Sequence, residues 1–338
     1  SQKSKAVVKV GDNQFKTIDA IMQGFSVSAD TWEVAQSEAG QIVAQAVKEG
    51  KISQEESKQI LQEAKADNWQ GLLESNKLGI LAALRNLRNI ITSNVLNNTT
   101  TLDILCNLLK DPKKILEGKI MPHQLDLADT ILEATFTNPN NAIRRIRMSL
   151  NEGYSLAIPN LKDILSGNNL VIIDMSGSMR TVIKNANDSY NYKSSCLQKA
   201  SLIGMTIAKA TNADVIRFGG HAEYVNYDPN APIFNLSRSH LKEMGCTNLA
   251  SAWKLAEASG RKYDRVFILS DNECNRGSNA IAYKSYIENI GNPYVYSIDL
   301  AAYGTTSLAG DKVRYYYGYG YSMFDDITKS EFNPNYHI

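Results

Sequence analysis

The sequence predicts an α + α/β chain, in which a region of stacked helices is followed by a doubly wound, mostly parallel sheet. Three observations carry this. Apolar residues recur at helical spacing through roughly residues 28–158. At about residue 160 the pattern changes to short apolar runs separated by helical segments. One of those runs, Leu170-Val171-Ile172-Ile173 before Asp174, is continuously apolar, as a strand buried on both faces must be.

The elements follow in order. Residues 6–20 place the turn Gly11-Asp12-Asn13 between two β-like runs, so residues 1–27 are expected to form an N-terminal arm or hairpin. Ser53-x-x-Glu56 is a capping box that opens a helix. Ile80, Leu84, Leu87 and Ile91 mark the buried stripe of another, with Arg85 and Arg88 on a different face. A helix through TTLDILCNLLKD stops before Pro112, and one in HQLDLADTILEATF follows Pro122. In NAIRRIRMSLNEG, Ile143, Ile146 and Leu150 point inward while Arg144 and Arg147 share another face. Residues 28–160 therefore read as a helical-repeat, HEAT-like region. The boundary falls in the Pro159–Asn169 linker. Beyond it, residues 161–338 alternate strand-like NLVIID, DVIRF, RVFILS, PYVYSIDL and KVRYYYGYG with helices, a Rossmann-like pattern.

Bulk properties narrow the function. The 338 residues suffice for about two domains. Lys and Arg number 36 against 35 Asp and Glu, so the net charge is +1 and the chain is not a globally basic nucleic-acid binder, although a local patch remains open. The four cysteines have neither zinc-knuckle nor disulfide-framework spacing and read as reduced thiols, which points to the cytoplasm. No apolar run approaches the ~18 residues of a membrane span, so no membrane partner is expected. Enzyme signatures are missing: there is no GxxxxGK[ST] phosphate loop, no HExxH and no GxSxG elbow, and the chain is expected not to be an enzyme.

Three loops stand where a doubly wound sheet places its ligand site. They are Asp174-Met175-Ser176-Gly177-Ser178, Gly245-Cys246-Thr247-Asn248 and Ser270-Asp271-Asn272-Glu273. Single N-caps would explain each loop alone. Together they offer hard oxygen donors without sulfur or imidazole at the matching positions, which suits Mg²⁺ or another divalent cation such as Mn²⁺ or Ca²⁺. Two carboxylates leave such a cation short of negative charge, so a partner's acid is expected to complete the shell. Glu273 reads as either an outer group or a surface acid.

This Asp-x-Ser-x-Ser, Thr and Asp pattern resembles the metal-ion-dependent adhesion site (MIDAS) of von Willebrand factor A domains. The resemblance implies direct ligation by Ser176, Ser178 and Thr247, and action largely through water by Asp174 and Asp271. Further, FILSDNE, GCTN and GYGYSMFDDI, with NWQGLLESNKLGILAALRNLRNI and PHQLDLADTILEATF upstream, resemble the Ro autoantigen (TROVE-module) proteins over about residues 58–330. In that family a ring of helical repeats binds RNA. Only ~150 residues precede the sheet here, too few for the full ring, so the helical part is expected to be shortened, either as an incomplete ring or as one of several chains that build a larger surface.

Candidate RNA contacts are Arg85, Arg88 and the cluster Arg144, Arg145 and Arg147; a solvated or ion-paired helix face is the alternative for each. Tyr315, Tyr316, Tyr317, Tyr319 and Tyr321 form an aromatic run able to stack bases, but alternate strand residues face opposite sides. His123 reads as a packed or capping residue, and His221, His240 and His337 have no nucleophile to serve. Two functions stand. The first is a non-enzymatic, cation-dependent ribonucleoprotein component that binds RNA. The second is a protein-interaction or structural component of a larger assembly or homo-oligomer, such as a virus particle, that docks through the metal site.

Overall fold

In the computed structural model, the described residues are 8–10, 13–15, 32–162, 164–182, 194–274, 277–301, 305–317 and 321–332. Gly11 and Asp12 of the expected turn, Tyr319 and His337 lie outside them. The chain divides into two compact units: residues 1–114 with 139–150, and residues 115–138 with 151–338.

The first unit is helical beyond a short hairpin. Strands β1 (Val8–Val10) and β2 (Asn13–Phe15) pair antiparallel with Val8 opposite Phe15. Helix α1 (Trp32–Lys48) packs on α2 (Gln54–Glu74), and α2 and α3 (Ile80–Thr92) both pack on α4 (Thr99–Leu109). The expected capping box opens α2: the Ser53 N–H donates to Glu56 Oε2 at 2.8 Å and the Glu56 N–H donates to Ser53 Oγ at 3.1 Å. Asn98 caps α4 by accepting from the Thr100 and Thr101 N–H groups. The buried stripe of α3 is Ile80, Ala83, Leu84, Leu87 and Ile90; Ile91 is only half-buried, because 3.6 residues per turn carries the stripe from Leu87 to Ile90. The expected inward residues Ile143, Ile146 and Leu150 are buried on helix α7 (Asn141–Ala157), which runs across the division between units, as does the short α5 (Pro112–Glu117).

The second unit is built on a six-stranded sheet of order β5-β4-β3-β6-β7-β8. Its strands are β3 (Asn169–Asp174), β4 (Asp214–Phe218), β5 (Ala222–Tyr224), β6 (Arg265–Ser270), β7 (Tyr294–Asp299) and β8 (Val313–Tyr317). All neighbours are parallel except β5, which runs antiparallel to β4. The sheet is therefore mostly parallel, as its apolar runs require. The three-residue strand β5 and the helices α9 (Ile233–Ser239) and α12 (Tyr321–Phe332) have no clear sequence signature.

Alternation sends side chains to two covered faces. On one, Leu170, Ile172, Ile216, Phe218, Val266 and Ile268 pack with Trp253 of α10 (Leu249–Ala258) and Tyr283 and Tyr286 of α11 (Asn279–Asn289). On the other, α8 (Cys196–Thr211) approaches closely at Gly204, where an added Cβ would meet Ile173 Cδ1 at 2.7 Å. Helix α6 (Pro122–Thr135) and the end of α7 belong with the sheet: Lys199 Nζ of α8 donates to both Asp126 oxygens at 2.6 Å, and Tyr154 OH and Thr206 Oγ1 lie 2.7 Å apart. A shielded ion pair ties the start of β6 to α12, with Arg265 Nε 2.6 Å from Glu331 Oε1.

His123, at the start of α6, is buried and stacks on Phe324 with ring centroids 5.6 Å apart. Burial pushes its imidazole down to about 4. An unfolded imidazole titrates near ~6.5. Between these values the unfolded chain binds a proton that the folded one does not, so stability is full above the unfolded value and is lost as pH falls through that window. The expected cost to wild type from pH 7 to pH 5 is about 2 kcal/mol relative to His123→Leu, which has no proton to bind. Parallel urea titrations of both proteins at the two pH values test this; equal losses in the two would place the imidazole's titration near its unfolded value.

Candidate metal centre

The sheet order puts a crevice where the strand direction of travel reverses. From β3 the chain moves to β4 on one side, and β6 returns on the other. The C-terminal ends of β3 and β6 flank that switch point, the usual ligand position in open α/β sheets. Asp174 ends β3 and Ser270 ends β6.

Asp174 ties the first loop to the third. Its Oδ1 accepts from the Ser176 N–H at 2.8 Å, and its Oδ2 accepts from Ser270 Oγ at 2.5 Å. Ser176 Oγ and Ser178 Oγ lie 3.1 Å apart. The second loop is sewn to the first through main chain: Met244 N–H donates to Met175 O at 2.8 Å, and Gly177 N–H to Gly245 O at 3.0 Å. The turn after β4 joins them, with Met175 N–H donating to Phe218 O, Gly220 N–H to Met244 O and Asn248 N–H to Gly219 O. Gly219 permits this approach, since a Cβ there would stand 2.4 Å from the Met244 carbonyl oxygen.

All three loops thus meet. Asp174, Ser176, Thr247 and Asp271 are buried and Ser178 is half-buried. Ser178 and Thr247 line a cleft of about 600 Å³. Asp271 Oδ1 accepts from the Glu273 N–H at 3.2 Å, while its Oδ2 is buried with no hydrogen-bond partner among the described residues. Burial pushes the Asp174 carboxyl up to about 6; hydrogen bonds from Ser270 and Ser176 oppose this, and the Asp271 charge adds to it. Two buried carboxylates, paired with no cationic side chain among the described residues and one with an orphan oxygen, make a site of unbalanced negative charge. A divalent cation fits this donor set: hydroxyls and carboxylates are hard ligands, and a cation reverses the penalty on both acids. Among the described residues no group of three or more His, Cys, Asp or Glu side chains is arranged to hold a metal.

Sequence reasoning missed several neighbours. Ser270 reads as an ordinary strand end, and its role emerges only because β6 lies beside β3. Cys246, Cys274, Asn279 and the segment Thr305-Thr306-Ser307 also line the cleft, the last arriving from beyond β7 without any local signal. Glu273 is exposed on the cleft wall, and Glu243 pairs with Arg180 close to Gly177.

The candidate basic residues lie in the first unit, on α3 and α7. Arg85, Arg88 and Arg144 are exposed and Arg147 is half-buried. Arg145 is 2.5 Å from Asp103 of α4, so its charge is engaged within the fold. Of the tyrosines, Tyr315 is held by its hydroxyl, which accepts from the Ser307 and Leu308 N–H groups; Tyr316 is buried beside Tyr296, and Tyr317 is exposed. Neither His221 nor His240 lines the cleft. The described cysteines are free thiols, and no helix among the described residues is long and apolar enough to cross a membrane.

Comparison with known proteins places the chain. The fold is similar to the crystal structure of the Ro (Rsr) protein of Deinococcus radiodurans: the TM-score is 0.67 at 17% identity, over 90% of this chain and 64% of that one. The chain thus spans less than two thirds of that protein's length. Two partial likenesses are to a conserved hypothetical protein, BatB, from Bacteroides thetaiotaomicron (TM-score 0.33, 18% identity, 48% of this chain and 96% of that one) and an aerotolerance-related membrane protein from Bacteroides fragilis (TM-score 0.28, 22% identity, 43% and 77%). Among curated proteins none matches. The TROVE domain matches residues 34–206, just over half of the chain, and the protein belongs to the TROVE-domain family.

Proposed function

We propose that this chain is a non-enzymatic, cation-dependent binding protein of the Ro type and an RNA-binding component of a ribonucleoprotein. In this reading the helical part is HEAT-like and the sheet unit is a von Willebrand factor A domain holding Mg²⁺. Ser176, Ser178 and Thr247 are its direct ligands, and Asp174 and Asp271 act largely through water. When bound, the cation supplies a docking point for a partner's carboxylate. The observation that carries the cation reading is the buried, partnerless Asp271 Oδ2 beside an acid, Asp174, that already joins two loops. The RNA reading is supported by membership of the TROVE family and by the exposed Arg85, Arg88 and Arg144. One observation favours the second reading, a docking component of a larger assembly: the Arg145–Asp103 pair removes a cation from the densest basic cluster.

Two measurements separate these claims. In calorimetric Mg²⁺ titrations, Asp271→Asn is expected to weaken binding at least about tenfold, the lower end for losing a group that orients metal ligands. Gly219→Ala, which keeps every donor but pushes the second loop away, is expected to weaken it in the same direction. Wild-type Mg²⁺ affinity in folded Asp271→Asn would sink the site assignment. For RNA, affinity for a single-stranded-tailed RNA is expected to fall steeply with salt. Replacing Arg85, Arg88, Arg144 and Arg147 by Gln is expected to reduce the logarithmic salt slope by about 3, at ~0.7–0.9 per phosphate contact. No binding at low salt would move the search to protein partners.

A further inference from the structure

A second cleft, of about 720 Å³, opens at the end of the sheet opposite the metal loops, where β4 begins and β5 ends. Arg261, between α10 and β6, is exposed on its wall. The guanidinium is fixed on one side: Nη1 donates to both Asp214 oxygens at 2.6 Å, and Tyr263 OH donates to Asp214 Oδ2 at 2.7 Å. Its other side is uncommitted, since Nε and Nη2 have no hydrogen-bond partner among the described residues. Tyr224, an exposed aromatic, lines the same cleft, with its hydroxyl 3.5 Å from that of Tyr263. Asn212 and Asn226, both exposed, line it too.

These groups select a ligand by charge and by edge. Asp214 already cancels the guanidinium charge, so an anion would meet a neutral pair with a carboxylate on its far side and gain little. What remains is a rigid fork of two N–H donors, which fits a neutral ring carrying two adjacent acceptors. Guanine offers that edge in O6 and N7, whereas adenine sets an N6–H donor beside its N7. The N1–H and amino group of guanine in turn need an acceptor, which an asparagine side-chain carbonyl supplies. An exposed tyrosine gives the base a ring to stack on. The cleft volume lies inside the ~300–1,000 Å³ of small-ligand sites. We propose that this cleft binds a guanine base, of a free nucleotide or of an unpaired RNA residue, through Arg261, Tyr224 and the amide of Asn212 or Asn226. The site uses neither the cation loops nor the arginines of α3 and α7.

The test titrates the full chain in EDTA, by calorimetry, with guanosine monophosphate, adenosine monophosphate and ribose 5-phosphate. The guanosine nucleotide is expected to bind about tenfold tighter than the adenosine one, the lower range for one bidentate base contact, and ribose 5-phosphate is expected not to compete. Arg261→Lys, which keeps a charge beside Asp214 but loses the fork, is expected to erase that preference. Tyr224→Leu is expected to weaken both nucleotides and keep the preference. The 7-deaza guanosine nucleotide, with C–H in place of the N7 acceptor, is expected to lose the preference on the wild-type protein, which keeps the test decisive where a variant fails to fold. Equal affinity for the two nucleotides, competition by ribose 5-phosphate, or a preference that survives Arg261→Lys overturns the proposal. A pentaribonucleotide with one central guanosine, compared with its 7-deaza form, separates the sources. N7-dependent binding as tight as that of the mononucleotide assigns the site to RNA, and its absence assigns the site to a free nucleotide.

Discussion

The buried carboxylate of Asp174 is the constraint on which the sheet unit's site depends. A charge at 0% exposure is tolerated only when its lone pairs are engaged. Here one oxygen is held by its own loop, at the Ser176 N–H, and the other by the neighbouring strand, at Ser270 Oγ. The same pair of bonds therefore satisfies the acid and ties the loop after β3 to the end of β6, which the parallel ladder already holds alongside.

Around it the backbone supplies the rigidity. The first and second loops and the turn after β4 share hydrogen bonds that run from Phe218 and Gly219 through Met244 and Met175 to Gly177 and Gly245. Main-chain bonds place the hydroxyls of Ser178 and Thr247 without relying on flexible side chains. Among the described residues the arrangement leaves polar atoms without partners: Asp271 Oδ2, Asn272 Nδ2 and Asn279 Oδ1. Buried unsatisfied groups are rare in native folds, and these three come from one loop and the helix that follows it.

The two units place different chemistry at different addresses. The hard-oxygen site belongs wholly to the sheet unit, whereas every candidate phosphate contact belongs to the helical one. A net charge of +1 fits this division, since no single field dominates the chain. Within the sheet unit, residues 115–138 and the end of α7 are anchored by Lys199–Asp126 and Tyr154–Thr206, so the helical character of a segment does not decide which core it joins.

How much was legible from the sequence follows the range of the signal. Local periodicity determined the helices and strands: the capping box at Ser53, the inward face of Ile143, Ile146 and Leu150, and the parallel strands beginning with Leu170 to Ile173. It missed by one residue at Ile91, where the last turn of α3 buries Ile90 instead. It missed β5 altogether, because three half-polar residues carry no period. The three oxygen-rich loops were legible because each sits directly after an apolar run or before a helix, but their meeting was not. Strand order brings Ser270 to Asp174 across 96 positions, and a glycine at 219 lets Met244 close the second loop. Arg145 shows the converse, since nothing near it in sequence announces that Asp103, 42 positions earlier, takes up its charge. The sequence by itself determined which residues carry chemistry and the elements that bear them, because those depend on neighbours within a few positions. Only the tertiary structure decided which groups share one cleft, which charges are already spent and which buried atoms still lack a partner, because those depend on contacts between residues far apart in the chain.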